Sequence, residues 1–285
     1  MEAQSVRDRR VTRQNDPGAT KRSGGILGYF ARHSVAWTRV AAAIVLIAVW
    51  QALPKSVLPE YVFGKPLDVL VALWNLIVTG QIFTATGATL LTTLLGVVIG
   101  APIGVAFALL AEVPVLKWVL EPWGNLIYGI PKIGLVSLLI LWVGLSSSAQ
   151  LMLVLLSVIF VYYFAAKQGL AEIDPRRVTA FKLMGAGRVK IVRSLYLGSI
   201  APHLIGATRL ALPLGFGTAI FGELRVPTQG NLGRLLDQYA LSLNGAGAIA
   251  VVLAVGIVAF AIDIGARAGL SYYGRLVGTG VTADE

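Results

Sequence analysis

The sequence predicts an all-α membrane protein with six transmembrane helices. Of its 285 residues, 56% are hydrophobic and only 13% are charged, whereas about a quarter of the residues of a soluble domain are charged. Several apolar runs approach or exceed the roughly 20 residues that a helix needs to cross a bilayer. The lysine and arginine residues are also concentrated in alternate segments between these runs, as in a multi-pass protein of defined orientation.

The N-terminal part of the chain is predicted to contain a tail, one span and a surface helix. We expect residues 1–34 to form a basic, disordered cytoplasmic tail that either attracts anionic lipid headgroups or sets the topology. In residues 35–82, span one is predicted over residues 35–53, because the apolar run stops at Pro54. Residues 66–77 have an amphipathic pattern, which predicts a helix lying on the outer membrane surface.

Span two, predicted over residues 83–111, contains no charged residue. Small residues recur at every fourth position and form a continuous stripe along one helix face. Helices associate in lipid mainly through close packing, so this stripe predicts a seam with another helix. The stripe consists of Thr92, Gly96, Gly100, Gly104 and Ala108.

Residues 83–272 are predicted to form the membrane core, followed by a cytoplasmic tail over residues 273–285. Span three is interrupted by Gly129, Ile130 and Pro131. It is therefore predicted to be two half-helices, which lipid tolerates only where the break is buried or lines a cavity. Spans three to six are predicted over residues 118–144, 151–166, 200–222 and 245–270.

A long basic segment, residues 167–209, begins after span four. Asp174 and Pro175 predict a helix start, because the carboxylate can accept backbone N–H groups and proline needs no such bond. A second short helix is predicted from Arg188 to Leu197. Two short helices with basic exteriors predict a docking element on the cytoplasmic side, not a further span.

The first of these helices has one apolar face, because Val178, Phe181 and Met184 recur at every third position. Phe181 is predicted to be its main anchor, since buried aromatic side chains dominate protein interfaces. Alternatively, Phe181 packs onto the inner helix ends of its own chain. Gly185 is predicted to supply the left-handed turn that ends the helix.

The charge distribution supports this topology. Eighteen of the 24 lysine and arginine residues fall in segments that the topology places inside the cell, and four fall outside. This asymmetry follows the positive-inside rule. The formal net charge of +10 is therefore explained by orientation in the membrane, and no nucleic-acid partner is needed.

The residue types available argue against catalysis in this chain. It contains no cysteine and two histidines, His33 and His203, so neither a disulfide nor a metal site is expected. No Gly-x-x-x-x-Gly-Lys-Ser/Thr loop is present, so an ATP-driven process would need another chain. An intramembrane enzyme would need clustered acidic or nucleophilic residues, which the sequence lacks.

The segment from Asp174 to Arg209 resembles the cytoplasmic EAA loop of ABC importer permeases, the membrane subunits of binding-protein-dependent transporters. Asp174 and Pro175 match the start of that loop, and Gly185 with Ala186 matches its glycine turn. The leucine, proline and arginine positions of the loop are matched by Leu197, Pro202 and Arg209.

The glutamate, alanine and alanine positions of that loop are occupied by Thr179, Ala180 and Phe181. Thr179 therefore removes a charge that could pair with an ATPase, and Gly198 stands where the family usually has proline. The similarity extends over residues 84–263. It is closest to the nitrate, sulfonate, taurine and bicarbonate branch of the family.

The resemblance implies the transmembrane domain of a type I ABC importer, acting as its pore-forming subunit. It implies two ABC ATPase subunits, an extracytoplasmic substrate-binding protein, a second permease subunit in a homodimer, and membrane lipids as partners. ATP and Mg²⁺ would bind to the ATPases, so this chain would hold no cofactor. We expect a bacterial inner-membrane protein with both termini in the cytoplasm. The expected coupling residues are Asp174, Thr179, Ala180, Phe181, Met184, Gly185 and Ala186.

Lys132 lies near the middle of span three, where a charge costs roughly 2.5–3.5 kcal/mol on insertion scales. One explanation is that Lys132, beside Pro131, faces the translocation path and attracts an anionic substrate. The other is that it snorkels or pairs with a carboxylate such as Glu121 or Asp263. Glu223, at the outer end of span five, either lines or gates the path or is an ordinary interfacial carboxylate.

The alternatives to an ABC permease are a secondary transporter or a channel. Either would be expected to show inverted repeats and paired intramembrane carboxylates, and neither feature is clear in the sequence. The resemblance implies a small anionic solute, such as a sulfonate, nitrate or a related organic acid. Importers of thiamine precursors and aromatic acids resemble the same branch and leave those substrates as alternatives.

Overall fold

The computed structural model describes residues 27–53, 59–226, 228 and 230–277. Most of the predicted N-terminal tail and the end of the C-terminal tail lie outside the described residues. Within them, every regular element is a helix.

The helices are numbered here along the chain. A 3-10 helix (Lys132–Leu135) precedes α6, and a π-helical turn (Val192–Tyr196) joins α9 to α10. The helices are α1 (Leu27–Ala52), α2 (Glu60–Phe63), α3 (Pro66–Val78), α4 (Gln81–Leu110), α5 (Pro114–Gly129), α6 (Val136–Val143), α7 (Ser147–Ala171), α8 (Pro175–Leu183), α9 (Arg188–Ile191), α10 (Leu197–Arg225), α11 (Leu232–Leu241) and α12 (Gly245–Val277).

The chain divides after residue 57 into two units, and α1 is the described helix of the first. Its side chains from Trp37 to Val49 are exposed and mostly apolar, which suits contact with lipid. The helix begins at Leu27, before the predicted start of span one at residue 35. Once a helix exists, each added residue gains one hydrogen bond at little cost, so α1 extends into residues that the sequence assigned to the tail.

Four helices of the second unit are long and apolar enough to cross a membrane, and they correspond to predicted spans two, four, five and six. They cover Gln81–Leu110, Ser147–Ala171, Arg188–Arg225 and Gly245–Gly269. The predicted span one contains a shorter apolar helix, Trp37–Ala52. The predicted surface helix is α3, which packs against α12 and buries Val69 and Leu76.

Span three is broken, as the sequence predicts. Helix α5 ends at Gly129, and Ile130 has an extended backbone before the 3-10 helix and α6 continue the chain. The inner end of the span differs from the prediction, because α5 already begins at Pro114. Proline is well suited to the first helical position, where its missing N–H is not needed.

The segment between spans four and five contains one separate helix, α8, where two were predicted. Helix α7 continues to Ala171, so Lys167 belongs to it, and the loop begins at Glu172. The predicted second helix is continuous with span five, as one 38-residue helical stretch from Arg188 to Arg225. The change from polar to apolar residues at about residue 197 does not end the helix, because no residue there removes its hydrogen bonds.

The core of the second unit is formed by α4, α7 and α10. Their contact is made largely by small and β-branched side chains, with Val154 and Val158 at its centre, both 0% exposed. The buried cluster comprises Val97, Val154, Val158, Tyr162, Ala207, Ala211 and Ala219.

The glycine stripe of α4 faces α7. A Cβ built at Gly100 would lie 3.0 Å from Cγ1 of Val158, and one built at Gly104 would lie 3.0 Å from Cβ of Tyr162 and against the backbone oxygen of Ile159. At Gly96, a Cβ would overlap the side chain of Val154. The two helices therefore approach more closely than any side chain at these positions would allow.

We expect Gly104→Ala to destabilise the protein by about 1–3 kcal/mol, because an added methyl group overpacks the seam against backbone that cannot move freely. Thermal unfolding of the purified protein in detergent measures the effect. Gly256→Ala is the matched control, since it lies inside α12 with open space where a Cβ would be. Equal melting temperatures for the two variants would contradict the proposed packing.

Candidate functional site

The first candidate site is the knuckle, defined as residues 174–193. Asp174 caps α8 as predicted, since its Oδ1 accepts a hydrogen bond from the backbone N–H of Arg176 at 2.8 Å. Gly185 has φ +74°, the left-handed conformation predicted for the turn. The backbone N–H of Ala186 then donates to the carbonyl of Phe181 at 2.9 Å, which closes the end of the helix.

The apolar surface of the knuckle differs from the predicted one. Phe181 and Val178 are half-buried, so neither is the most accessible anchor in this chain. The exposed apolar side chains are Leu183 (84%), Met184 (72%) and Val189 (81%). Leu183 and Met184 precede the glycine turn and Val189 follows it. The residues next to them in the sequence are exposed as well. Only Met184 was singled out from the sequence.

The knuckle is also strongly cationic. Within residues 174–193, Asp174 is the one acidic residue, and its carboxylate is occupied by the helix cap. Thr179 donates its hydroxyl to the carbonyl of Pro175 at 3.1 Å, a bond within its own helix. The exposed cations are Arg176, Arg177, Lys182, Arg188, Lys190 and Arg193. An exposed apolar patch among so many cations fits a partner surface that is apolar at its centre and acidic around it.

A cluster of ion pairs lies where the core helices meet the knuckle. The Lys167 Nζ is 3.0 Å from Oε1 of Glu112 and 2.8 Å from Oε1 of Glu121, and it thereby joins α7 to α5 and the preceding turn. Nearby, Nε2 of His203 on α10 lies 3.1 Å from Oε1 of Glu172, two residues before the knuckle begins. These contacts fix the end of α7, from which the knuckle extends.

Lys132 has no carboxylate partner among the described residues. Its Nζ lies over the ring of Tyr128, 4.4 Å from the centroid, and 5.8 Å from the ring centroid of Phe160. The pairing suggested from the sequence is wrong, because Glu121 binds Lys167 and Asp263 binds Arg267 at 2.8 Å. Aromatic faces attract a cation by roughly 0.5–2 kcal/mol, which offsets part of the cost of its burial.

An apolar cavity of about 230 Å³ lies beside this cation, between α4, α5 and α7. The Phe160 ring lines the cavity, and its centroid is also 5.8 Å from Nζ of Lys132, so the cation and the cavity share this aromatic neighbour. Pro131, at the break in span three, is exposed. The other lining residues include Phe107, Leu120, Trp123, Ile127 and Tyr163.

Glu223 is buried in this structure and faces no open path, and the role in gating drawn from the sequence stays a prediction. Its side chain is 1% exposed, and its Oε2 accepts hydrogen bonds from the Thr89 hydroxyl and from the backbone N–H of Gly233, both at 2.9 Å. A group that lines a solute path must be reachable from it. Glu223 is instead an interior residue, and it is no interfacial carboxylate either.

Several of these groups were not found from the sequence, for different physical reasons. Leu183 and Val189 flank the glycine turn, and that position was a usable signal for exposure. Lys167 and Glu223 gave no such signal, because their partners are separated from them by 46 and 134 residues. Among the described residues, no group of three or more His, Asp or Glu side chains is placed to hold a metal ion.

Comparison with known proteins identifies the family to which this chain belongs. Residues 100–269 match the profile of the family described as "Binding-protein-dependent transport system inner membrane component". This segment includes the last third of α4, all of α5 to α11 with the knuckle, and most of α12.

Two curated relatives have similar sequences. The taurine transport system permease protein TauC of Escherichia coli (strain K12) is 25% identical over 172 residues, which are 60% of this chain and 61% of TauC. The chain thus matches less than two thirds of the length of that relative. The formylaminopyrimidine transport permease protein ThiX of Halalkalibacterium halodurans is 23% identical over 227 residues, 76% of this chain and 88% of ThiX.

A solved structure shares the fold. The MetNI methionine ABC transporter, in an inward-facing conformation, aligns with a TM-score of 0.53 and 21% sequence identity. The alignment covers 70% of this chain and 96% of the other. The all-α fold of the chain is therefore that of a type I importer transmembrane domain.

We expect Lys167→Met to lower the free energy of unfolding by about 1 kcal/mol, because it leaves two carboxylates without their cation and all three groups are partly exposed. Thermal unfolding in detergent measures the effect. Lys117→Met is the control, since its Nζ is 4.0 Å from Glu121 and its side chain is 54% exposed. A loss for Lys117→Met as large as that for Lys167→Met would contradict the assignment.

Proposed function

The chain belongs to the family of binding-protein-dependent transport system inner membrane components, and from this premise we propose that it is the pore-forming transmembrane subunit of an ATP-driven importer. It is a multi-pass inner-membrane protein. The observation that carries the proposal is the knuckle, an exposed apolar and cationic element in a chain whose sequence contains no nucleotide-binding loop. Such a surface needs a partner, and the partner supplies the energy.

The proposed assembly contains two copies of this chain, two ABC ATPase subunits and an extracytoplasmic substrate-binding protein. ATP and Mg²⁺ bind to the ATPases, and this chain carries out no covalent chemistry. Both termini lie in the cytoplasm. The excess of lysine and arginine in the segments assigned to the inner side supports this orientation, because it places the knuckle where ATP is available.

The mechanism follows from the continuity of the helix from Arg188 to Arg225. Its 38 residues span about 57 Å at a rise of 1.5 Å per residue. The knuckle forms one end of this helix, so a displacement of Val189 by an ATPase moves span five directly, with no intervening loop to absorb it. The ion pairs of Lys167 hold the neighbouring end of α7 in place, so the long helix moves relative to α7.

For the substrate, we propose an organic anion that passes Lys132. The cation has no carboxylate partner among the described residues and shares the ring of Phe160 with an apolar cavity, an arrangement suited to a negative group attached to an apolar body. TauC is a taurine permease by name, and taurine carries a sulfonate group, which supports a solute with a negatively charged group. The name of ThiX supports the alternative of a thiamine-precursor pyrimidine.

A secondary transporter or channel is the other functional class. Nothing in the geometry favours it over an ATP-driven importer, because it would give the knuckle no function. The two classes differ in whether an ATPase binds to the membrane domain.

We expect Leu183→Asp to abolish co-purification of the ATPase with this chain, because a charge placed in an apolar interface costs several kcal/mol. Leu241→Asp is the matched control, since Leu241 is also exposed (73%) but belongs to α11, which the proposed topology places outside. Measurement is by affinity purification from membranes, with both chains quantified. Retention of the ATPase by Leu183→Asp would contradict the proposed docking surface.

We expect Lys132→Gln to reduce solute uptake by about tenfold, corresponding to the loss of roughly 1.4 kcal/mol of attraction for an anion. Lys132→Arg keeps the charge and is expected to keep most of the uptake. The measurement is ATP-driven transport in proteoliposomes that contain the whole transporter. If Lys132→Ala and Lys132→Gln both transport normally, Lys132 has no role in the path.

A further inference from the structure

A buried carboxylate lies at the opposite end of the long helix from the knuckle. Glu223 lies two residues before the end of the 188–225 helix and is 1% exposed. Burying a carboxylate is costly unless hydrogen bonds compensate for the lost water. Two donors bind its Oε2, the Thr89 hydroxyl on α4 and the Gly233 backbone N–H on α11, while its Oε1 is buried without a hydrogen-bond partner among the described residues. The side chain thus joins its own helix to the next helix in the chain, α11, and to the distant helix α4.

Thr89 completes the connection. It is 0% exposed, and its hydroxyl oxygen accepts a hydrogen bond from the backbone N–H of Leu232 at 3.1 Å. The first N–H groups of a helix have no acceptor within the helix itself. In α11, the first two N–H groups, those of Leu232 and Gly233, donate to Thr89 on α4 and to Glu223 on α10. A carboxylate is favourable at this end of α11, because the helix dipole makes the N-terminus partly positive.

The backbones of α10 and α11 are also in direct contact at this point. A Cβ built at Gly233 would lie 2.6 Å from the carbonyl oxygen of Ile220 and 3.0 Å from the backbone nitrogen of Leu224. Glycine is therefore the residue that allows α11 to approach α10 closely enough for the hydrogen bond to Glu223.

The contacts of Glu223, Thr89 and Gly233 among α4, α10 and α11 are called the junction here. A second set of hydrogen bonds adds α7 to it. Nε2 of Gln150, near the start of α7, donates to the Val226 carbonyl at 3.1 Å and to the Thr228 hydroxyl at 2.6 Å. The Asn231 side-chain amide donates to the same hydroxyl at 2.9 Å. Gln150 and Asn231 are 2% and 5% exposed, whereas Thr228 is half-buried.

We propose that Glu223 and Thr89 are positioning residues that hold α11 rigidly on α4 and α10, so that α11 follows the movement of the long helix. The inference rests on the proposed function, because it assumes that an ATPase displaces the knuckle. The junction is then the outer end of the helix through which this displacement is transmitted. ATP-driven displacement of the long helix is then delivered to α11 on the outer surface. In the other direction, a binding protein that contacts the outer surface influences the ATPases through the same helix.

Thr89→Val tests this proposal with little change in shape, because it replaces the hydroxyl by a methyl group and leaves the rest of the side chain in place. Thr93→Val is the matched control. Thr93 lies one turn further along α4 and is 1% exposed, but its hydroxyl donates only to the carbonyl of Thr89 in its own helix, at 2.8 Å. Thr89→Ser restores the hydroxyl and is the rescue variant.

Two measurements are made on each variant. Hydrogen exchange followed by mass spectrometry, on the chain in lipid nanodiscs, reports the protection of the Leu232 and Gly233 amides. The second measurement is the ratio of stimulated to basal ATPase activity in the reconstituted transporter, with the binding protein purified together with its native solute as the stimulus.

Thr89→Val is expected to increase exchange at Leu232 and Gly233 and to lower the ATPase ratio by about fivefold, as the loss of a hydrogen bond worth roughly 1 kcal/mol would. Thr93→Val and Thr89→Ser are expected to leave both quantities near their wild-type values. Faster exchange with an unchanged ratio would show that the junction only stabilises the fold, and it would overturn the proposal. Unchanged exchange in Thr89→Val would also overturn it.

The failure of the proposed function has a different signature. If the binding protein does not change the ATPase activity of the wild-type transporter, the importer role is contradicted. The coupling role of the junction is then contradicted as well. In that case the exchange measurement still reports whether Thr89 holds α11 in place, because it needs neither ATPase nor binding protein.

Discussion

The close approach of α4 to α7 is the constraint on which the rest of the structure depends. Gly96 and Gly104 leave no space for a side chain between the two helices, and α10 packs on the pair they form. In lipid, where the hydrophobic effect does not drive helices together, such contact is the main source of specificity. The knuckle and the outer helix α11 are positioned because they extend from members of this group of three helices.

Three charged residues of the second unit are each stabilised by a different kind of neighbour. Lys167 lies between two carboxylates, Glu223 accepts bonds from a hydroxyl and a backbone N–H, and Lys132 lies over two aromatic rings. The Lys167 cation is paired with carboxylates, and Glu223 is buried with its Oε1 lacking a hydrogen-bond partner among the described residues, whereas Lys132 is left able to attract an anion. The difference is why Lys132, and not Glu223, is the candidate for contact with a solute.

The long helix from Arg188 to Arg225 connects the two surfaces proposed to meet partners. At one end, Leu183 and Val189 present apolar surface beside the glycine turn, and at the other Glu223 holds α11. A helix transmits displacement along its axis because each turn is bonded to the next, and in this helix the π-helical turn at Val192–Tyr196 and the internal Pro202 and Pro213 are the positions where it can bend. The proposed importer role thus needs no separate coupling element between the inner and the outer face.

Local chemistry was sufficient to predict the helical class, the break at Pro131, the cap at Asp174 and the turn at Gly185, because each depends on residues adjacent in the chain. The sequence also indicated the family and hence the proposed partners. The continuity of α9 with α10 was missed, because a change in polarity was taken for the end of a helix. The partners of Lys167 and Glu223 were decided by the tertiary structure alone: they lie on other helices, and only the packing of those helices brings them within hydrogen-bond distance.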